Sequence, residues 1–594
     1  MFAALRARAV YPENGMLSSM MAPSGHAASS AATPPAALDR AVAIVREQRR
    51  VFARCSPAEK AALLRSCLPL FAGVAAGWAA AACKAKGLRV ESSEAGEEWI
   101  GGPVITVRDL RLLAASLEEI AERGRPAFGR AIRQRSDGRV EVLLFPAGGF
   151  DAVLYKGLSC TALLQTGWTQ ARARESQASF YQRTAPEGGV SLVLGAGNVS
   201  SIPATDALHK MFVDGNVCVL KMNPVNEWAG PFLEKVFAPL IAKDFLRIVY
   251  GGAEVGEYLC QHGGVDDIHI TGSSRTHDHI VWGPPGREQD RRRAAGDPVL
   301  RKTITSELGN VSPVVIVPGN YTDEELWFQA KNLTTMIVNN ASFNCNAAKV
   351  IITAKGWSGK QRFFQALTKA LASAPAREAY YPGARDRYEE LTRPHPGALR
   401  IGAESNSVLP WTLIRDVDAT RKDEPLFQVE PFCSVVTHTE IGTAEPAEFL
   451  AEASGFCNDR LWGTLNACLV IDPRSEADPA VAAALERAIV DLRYGTVAVN
   501  QWPAVVFGAM SPPWGGHPSA TLADVQSGIG FVHNTFMLEG IDKAILRGPL
   551  VMSPKPAWFF DNKMMRVLGE KMVDFQAAPS AFKLPGLAIT ALRG

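Results

Sequence analysis

Residues 189-GVSLVLGAGN-198 decide the fold. An apolar, strand-like run stops at small residues and an asparagine. Three more runs follow the same plan: 217-VCVLKM-222, 245-FLRIVYGG-252 and 266-DDIHITGSS-274. Helix-patterned stretches lie between them: 203-PATDALHKMFVDG-215, 230-GPFLEKVFAPLIAK-243 and 253-AEVGEYLCQHG-263. Short strands alternating with helices predict right-handed βαβ units and a parallel sheet. Each strand ends at or next to Gly, Asn or Ser, where backbone can approach a ligand at the carboxyl edge of such a sheet.

Outward from this block, the Arg-rich stretch 286-GREQDRRRAAGDPVLRK-302 reads as a solvated loop, and its 291-RRR-293 run, interleaved with acids, as no nucleic-acid patch. A second alternating block follows, with strands at 313-PVVIVP-318, 349-KVIIT-353, 433-CSVVTH-438, 465-LNACLVID-472 and 496-TVAVN-500. On the N-terminal side, about 36–138 carry helical periodicity, and 139-RVEVLLFP-146 is a strand followed by a Gly pair. The expected organisation is a tail over 1–35, a first α/β domain over 36–306 with an arm strand near 139–160, a second α/β domain over 307–515, and a C-terminal extension over 516–594. The tail is rich in Ala, Ser and Pro with Arg6, Arg8 and one acid, Glu13. It reads as a disordered tail on a cytoplasmic protein, the alternative being an organelle transit peptide.

The 594 residues exceed one core, so two or three domains are expected. Net charge is +2, with 47% hydrophobic and 21% charged residues, which gives no general call for a nucleic-acid or acidic partner. The ten cysteines form no CxxC pair, which excludes a zinc ribbon or a thioredoxin-type motif. The longest apolar run, 67-CLPLFAGVAAGWAAAAC-83, falls short of a membrane span and reads as a buried Ala-rich helix. His277 and His279 form an HxH without a third ligand nearby, so no metal site is assigned and they read as a polar helix start.

Four features carry chemistry. Cys345 in 340-NASFNCNAAKVII-352 sits in a small polar collar before a strand, as a packed thiol or a nucleophile. Glu307 in 303-TITSELGN-310 is a general base or a structural carboxylate at the domain junction. Asn198 ends its strand as an oxyanion donor or a turn residue. Lys221 and 271-TGSS-274 lie where a phosphate-bearing cofactor would sit, although no GxGxxG follows the first strand.

Taken in order, LGAGN, VLKM, ITGSS, SELGN and NCNA, then 430-EPFCSVV-436, 495-GTVAVN-500 and 511-SPPWGG-516, resemble the aldehyde dehydrogenase superfamily over roughly 40–520. The resemblance implies an α/β fold with a Rossmann-like cofactor domain, a second α/β catalytic domain and a small oligomerisation arm. It implies NAD(P)-dependent oxidation of an aldehyde to a carboxylic acid. In that reading Cys345 is the nucleophile, passing through a thiohemiacetal and a thioester. Asn198 and the Cys345 N–H hold the oxyanion, and Glu307 activates the hydrolytic water. Lys221 binds the adenosine ribose of NAD or NADP, Gly272 and Ser273 lie at the pyrophosphate, and Glu430 and Phe432 border the nicotinamide ribose. The partners implied are a small aldehyde and further copies of the chain, as a homodimer or homotetramer.

The chain departs from the family pattern in four places. Ser342 and Phe343 replace the usual Gly-Gln ahead of the cysteine, and Asn310 replaces the second Gly of ELGG. The run 221-KMNP-224 loses the usual glutamate, with Glu227 as a substitute, so coenzyme choice stays open. The stretch between Ser274 and Glu307 is unusually Arg-rich. The alternatives are a CoA-acylating relative, in which a thiol takes the acyl group, and a catalytically silent scaffold of the same fold. Glu307 argues against the first, and Cys345, Glu307 and Asn198 together argue against the second.

Overall fold

A computed structural model of the chain describes residues 31–127 and 132–594. The tail reading over 1–35 therefore lies almost wholly outside the described residues. The first alternating block forms a parallel five-stranded sheet in the order Leu246–Val249, Val217–Lys221, Val190–Leu194, Asp267–Gly272, Thr303–Leu308. Its strands are mostly apolar and buried because helices cover both faces. Thr271 is directly opposite Glu307, so the last two strands deliver neighbouring side chains to one end of the sheet.

The second block lies in an eleven-stranded sheet. Its centre is parallel, with Val350–Ala354 between Pro313–Ile316 and Val435–Ile441. At one side the arm strands Ile132–Gln134, Val140–Phe145 and Ser159–Leu164 run antiparallel. The stretch 516–594, expected as an extension, sends a strand into this sheet. Ile541–Arg547 pairs antiparallel with Ser159–Leu164 and parallel with Thr496–Val499, joining arm to centre.

Ahead of the sheets come the expected helices. Ser56 and Glu59 close a capping box at the start of Pro57–Cys67. The apolar run continues as Phe71–Ala85, burying Phe71, Val74, Trp78 and Cys83. Pro57–Ala85 is long and apolar enough to cross a membrane, but half of its apolar window is buried inside the fold.

Two local readings change. The Arg-rich stretch is not a loop, since Arg287–Ala295 is a helix. Glu288 pairs with Arg291 and Arg292 along one face, and Arg293 reaches Asp278 at 2.7 Å. The HxH segment lies on helix Ser274–Trp282, but His277 is fully buried with Nδ1 3.4 Å from Asp278, so it is not a polar surface residue.

Candidate active site

Cys345 follows helix Asp323–Val338, which begins at a Thr322–Glu325 capping box. Past the helix end, Asn340, Ala341 and Ser342 all take left-handed backbone, with φ of 53°, 53° and 71°. Each such non-glycine residue costs roughly 1–2 kcal/mol, so three in a row persist only where surroundings hold them.

The restraint is a buried polar network. Lys349 Nζ donates to the Ser342 carbonyl at 3.1 Å, to Ser342 Oγ at 2.8 Å and to the Cys433 carbonyl at 3.3 Å. Lys86 Nζ, paired with Glu98 at 2.9 Å, donates to Asn340 Oδ1 at 3.0 Å and to the Asn198 carbonyl at 3.1 Å. Tyr380 OH donates to the same two oxygens at 2.9 and 3.1 Å. Glu97 accepts from the Asn340 backbone N–H at 2.9 Å and pairs with Arg377 at 2.7 Å. Ser342, which departs from the family pattern, is thus a ligand of a buried lysine. Phe343 packs its ring 5.0 Å from Tyr380, 5.6 Å from Tyr381 and 5.7 Å from Phe432.

This loop presents Cys345. Its carbonyl accepts from Ser312 Oγ at 3.1 Å and from Asn466 Nδ2 at 3.4 Å. Its Sγ donates to Glu307 Oε1 at 3.2 Å. Burial pushes the Glu307 carboxyl up to about 7, the Asp206 carboxylate adding to the rise. The Trp514 indole N–H faces Glu307 and pulls the other way without closing a hydrogen bond, and Glu307 Oε2 has no partner. Burial, then Glu307 and Glu430, raise the Cys345 thiol well above its usual range, and its own backbone N–H draws it back. The thiol therefore rests protonated, against a base whose affinity for the proton is close to neutral pH.

Asn198 reaches the same loop. Its Nδ2 donates one N–H to the Phe343 carbonyl at 2.9 Å. Glu430 Oε1 accepts the Asn310 backbone N–H at 3.1 Å, and burial raises this carboxyl to about 7. A Cβ on Gly309 would lie 2.1 Å from Glu430 Oε2, which is why that position of SELGN takes no side chain. Asn310 uses its extra atoms inward, with Nδ2 donating to Ser312 Oγ at 3.0 Å and to the Asn466 carbonyl at 2.9 Å. Phe432 sits at φ 41°, its ring 4.9 Å from Tyr381.

The remaining predicted residues gather at the carboxyl edge of the five-stranded sheet. Lys221 ends its strand nearly buried, and burial lowers its ammonium to about 8 against the pull of Glu254 and Glu227. Gly272 and Ser273 are exposed where Asp267–Gly272 ends, and Ser273 Oγ caps helix Ser274–Trp282 by accepting from Thr276 N at 3.2 Å. An ammonium, an uncovered glycine and an open helix start are the donor set that a dinucleotide's ribose and pyrophosphate require, so these residues fit such a cofactor.

Sequence reasoning missed Lys86, Lys349, Tyr380 and Trp514 as parts of the site. Lys349 carried a signal, because a lysine directly ahead of the apolar run VIIT has no nearby solvent-facing position to occupy.

Residues 158–383 match the aldehyde dehydrogenase family. Human 4-trimethylaminobutyraldehyde dehydrogenase is 26% identical over 174 residues, 29% of this chain and 32% of that protein. The rat protein of the same name is 31% identical over 137 residues, 23% of this chain and 25% of its own. The match thus spans at most about a third of these relatives. Solved structures extend it. The NADP-dependent glyceraldehyde-3-phosphate dehydrogenase of Bacillus halodurans, complexed with NADP, shares 16% identity over 87% of this chain and 92% of its own, with a TM-score of 0.57. The aldehyde dehydrogenase KauB of Pseudomonas aeruginosa shares 16% identity over 88% and 90%, also at 0.57. At such identities the likeness shows the fold.

Proposed function

We propose that this chain, whose residues 158–383 match the aldehyde dehydrogenase family, oxidises an aldehyde to a carboxylic acid with NAD or NADP. The observation that carries the reading is the Cys345–Glu307 hydrogen bond of 3.2 Å, in a setting that holds Glu307 near 7.

The chemistry follows from these two groups. Glu307 takes the thiol proton as Cys345 sulfur bonds to the aldehyde carbon. The second N–H of Asn198 and the Cys345 backbone N–H steady the resulting oxyanion, one such donor being worth about 3–4 kcal/mol. The nicotinamide coenzyme supplies the acceptor for the hydride, leaving an acyl group on sulfur. Glu307 gives the thiol's proton up to solvent, then takes a proton from water as its oxygen adds to the thioester carbon. The C–S bond breaks, sulfur regains a proton, and acid leaves. Lys221 would hold the adenosine-ribose hydroxyls, Gly272 and Ser273 the pyrophosphate, and Glu430 and Phe432 the nicotinamide ribose. The relatives named for 4-trimethylaminobutyraldehyde overlap too little of this chain to supply its substrate.

The test is absorbance at the reduced-nicotinamide band, with an aldehyde panel, NAD or NADP, with and without CoA. Turnover without CoA is expected, abolished by Cys345→Ala and lowered about 10²–10³-fold by Asn198→Ala. Turnover that requires CoA would instead make the chain an acylating enzyme. Normal turnover by Cys345→Ala would remove the nucleophile assignment.

A further inference from the structure

We propose that Tyr380 and Asn340 are positioning residues for the oxyanion, fixing its two donors relative to one another; the inference rests on the aldehyde-oxidising reading above. One donor is the Asn198 side chain, just past strand Val190–Leu194. The other is the Cys345 backbone N–H, whose peptide begins at Asn344. Asn340 binds the chain beside both. Its Nδ2 faces the Asn198 carbonyl at 3.0 Å, the Phe343 carbonyl at 3.1 Å and Asn344 Oδ1 at 3.1 Å. Asn198 Nδ2 donates to the same Phe343 carbonyl at 2.9 Å, so the two asparagines clasp the peptide that leads into Asn344. Asn344 is fastened a second time, its Nδ2 donating to Asn339 Oδ1 at 2.9 Å.

The Asn340 amide works only one way round. Its Oδ1 accepts from Lys86 Nζ at 3.0 Å and from Tyr380 OH at 2.9 Å, so its nitrogen must face the three acceptors. Lys86 Nζ and Tyr380 OH each also lie 3.1 Å from the Asn198 carbonyl. With Asn340 Nδ2, three donor groups converge on one oxygen, more than a buried carbonyl needs to be satisfied. They come from remote parts of the chain. Lys86 follows helix Phe71–Ala85, Asn340 follows helix Asp323–Val338, and Tyr380 lies past helix Lys360–Ser373. Lys86, Asn198, Asn340 and Asn344 are all buried. The Tyr380 ring is held in turn, with the Lys86 ammonium 5.3 Å over its centre and the Phe343 ring against it.

Asn198 Nδ2 uses one N–H on Phe343, so the direction of its second N–H is set by that bond and by the anchored carbonyl together. The Asn344–Cys345 peptide is tied to the same Asn340. Both N–H groups are therefore held in register before an aldehyde arrives, and donors preorganised in this way stabilise a developing oxyanion without moving when it forms. Lys349, Ser312 and Asn466 hold the thiol side of the loop through bonds of their own. Tyr380 and Asn340 thus govern where the oxyanion is received more than where sulfur sits.

The test is Tyr380→Phe on the full chain, which removes the hydroxyl and keeps the ring. A trifluoromethyl ketone, 1,1,1-trifluoro-2-butanone, reads the oxyanion without turnover. Cys345 sulfur bonds to its carbonyl carbon, the carbonyl π pair moves onto oxygen, and Glu307 takes the thiol proton; that carbon carries no hydrogen to leave as hydride. Ketone binding is read as protection of Cys345 from iodoacetamide, which alkylates sulfur by displacing iodide and forms no oxyanion. Tyr380→Phe should weaken the ketone and lower kcat for aldehyde oxidation about tenfold each, with the ketone-free alkylation rate within about twofold of the parent. Asn340→Asp keeps the acceptor for Lys86 and Tyr380 but loses the donor, and should weaken the ketone about tenfold or more. Oxidation with ketone binding indifferent to both substitutions would overturn the inference and leave the oxidation reading standing. An equal loss of ketone binding and alkylation, or a parent chain that forms no ketone adduct, would also overturn it. A Tyr380-dependent adduct with no aldehyde oxidised would uphold the inference and defeat the oxidation reading.

Discussion

Cys345 and Glu307 share one proton across 3.2 Å, and the field around Glu307 decides where it rests. Buried beside Asp206, Glu307 titrates near 7 instead of its ordinary 4.5. As the proposed base it works only when ionised, so kcat/KM should rise with pH through about 7. The same shift affects stability. The folded state holds the Glu307 proton more tightly than the unfolded chain. This stabilisation is complete below pH 4.5 and is lost as pH rises through 7. Glu307→Gln removes the charge that is hard to bury, so it should raise unfolding stability at pH 8 by about 2–3 kcal/mol and change it little near pH 4.5. Urea denaturation at the two pH values checks this, and an equal offset at both would show that Glu307 ionises freely. The same substitution should slow the first hydride transfer as well as later turnover, because Glu307 takes a proton in each half of the reaction; a full first burst would mean that another group takes the thiol proton. The pair was legible from SELGN and NCNA. Asp206, buried beside Glu307, was not, because a carboxylate on an amphipathic helix reads as its wet face until its neighbours are known to cover it.

The loop before Cys345 stores strain that its supports must offset. Ala341, at φ 53° with no polar side chain to justify it, is the place to measure that strain. Ala341→Gly should raise stability by about 1 kcal/mol, since glycine accepts this backbone without penalty. Lys349→Met should do the reverse. It leaves Ser342 and Cys433 oxygens buried without their donor, a loss of about 3 kcal/mol by thermal or urea unfolding. Most elements were legible because their strands are short apolar runs closed by small residues. The exceptions are stretches whose charges find their partners within the fold. Strand Ile541–Arg547 reads IDKAILR and fell within the expected C-terminal extension, yet Lys543 is fully buried and donates to the carbonyls of Ile489, Val490 and Leu492. Helix Arg287–Ala295 looked like a loop because its ion pairs run to its own next turn and to Asp278.

Across the whole molecule, the C-terminal stretch connects to the reactive loop through the N-terminal helices. Helix Met565–Ala577 lies against Gly96–Trp99 and the single π-helical turn Ile100–Val104. The contact is backbone to backbone. A Cβ on Gly569 would stand 2.5 Å from Trp99 Cβ, and one on Gly96 would stand 2.5 Å from Arg566 N. The segment thus clamped carries Glu97 and Glu98, which hold Asn340, Arg377 and Lys86, and through them the loop that ends in Cys345. The residues proposed to hold the cofactor, Lys221, Gly272 and Ser273, lie at the edge of the five-stranded sheet and take no part in this chain of contacts. Gly569→Val should therefore wedge the clamp apart and act selectively. Carboxamidomethylation of Cys345, followed by mass spectrometry of its peptide, should change in rate about tenfold or more, because displacements near 1 Å at a reacting group carry effects of that order. Binding of NADH or NADPH, read by fluorescence, should stay close to the parent value. Equal loss of both would mean that the substitution disturbs the fold at large, and an unchanged alkylation rate would mean that the C-terminal helix covers the N-terminal helices without steadying the cysteine.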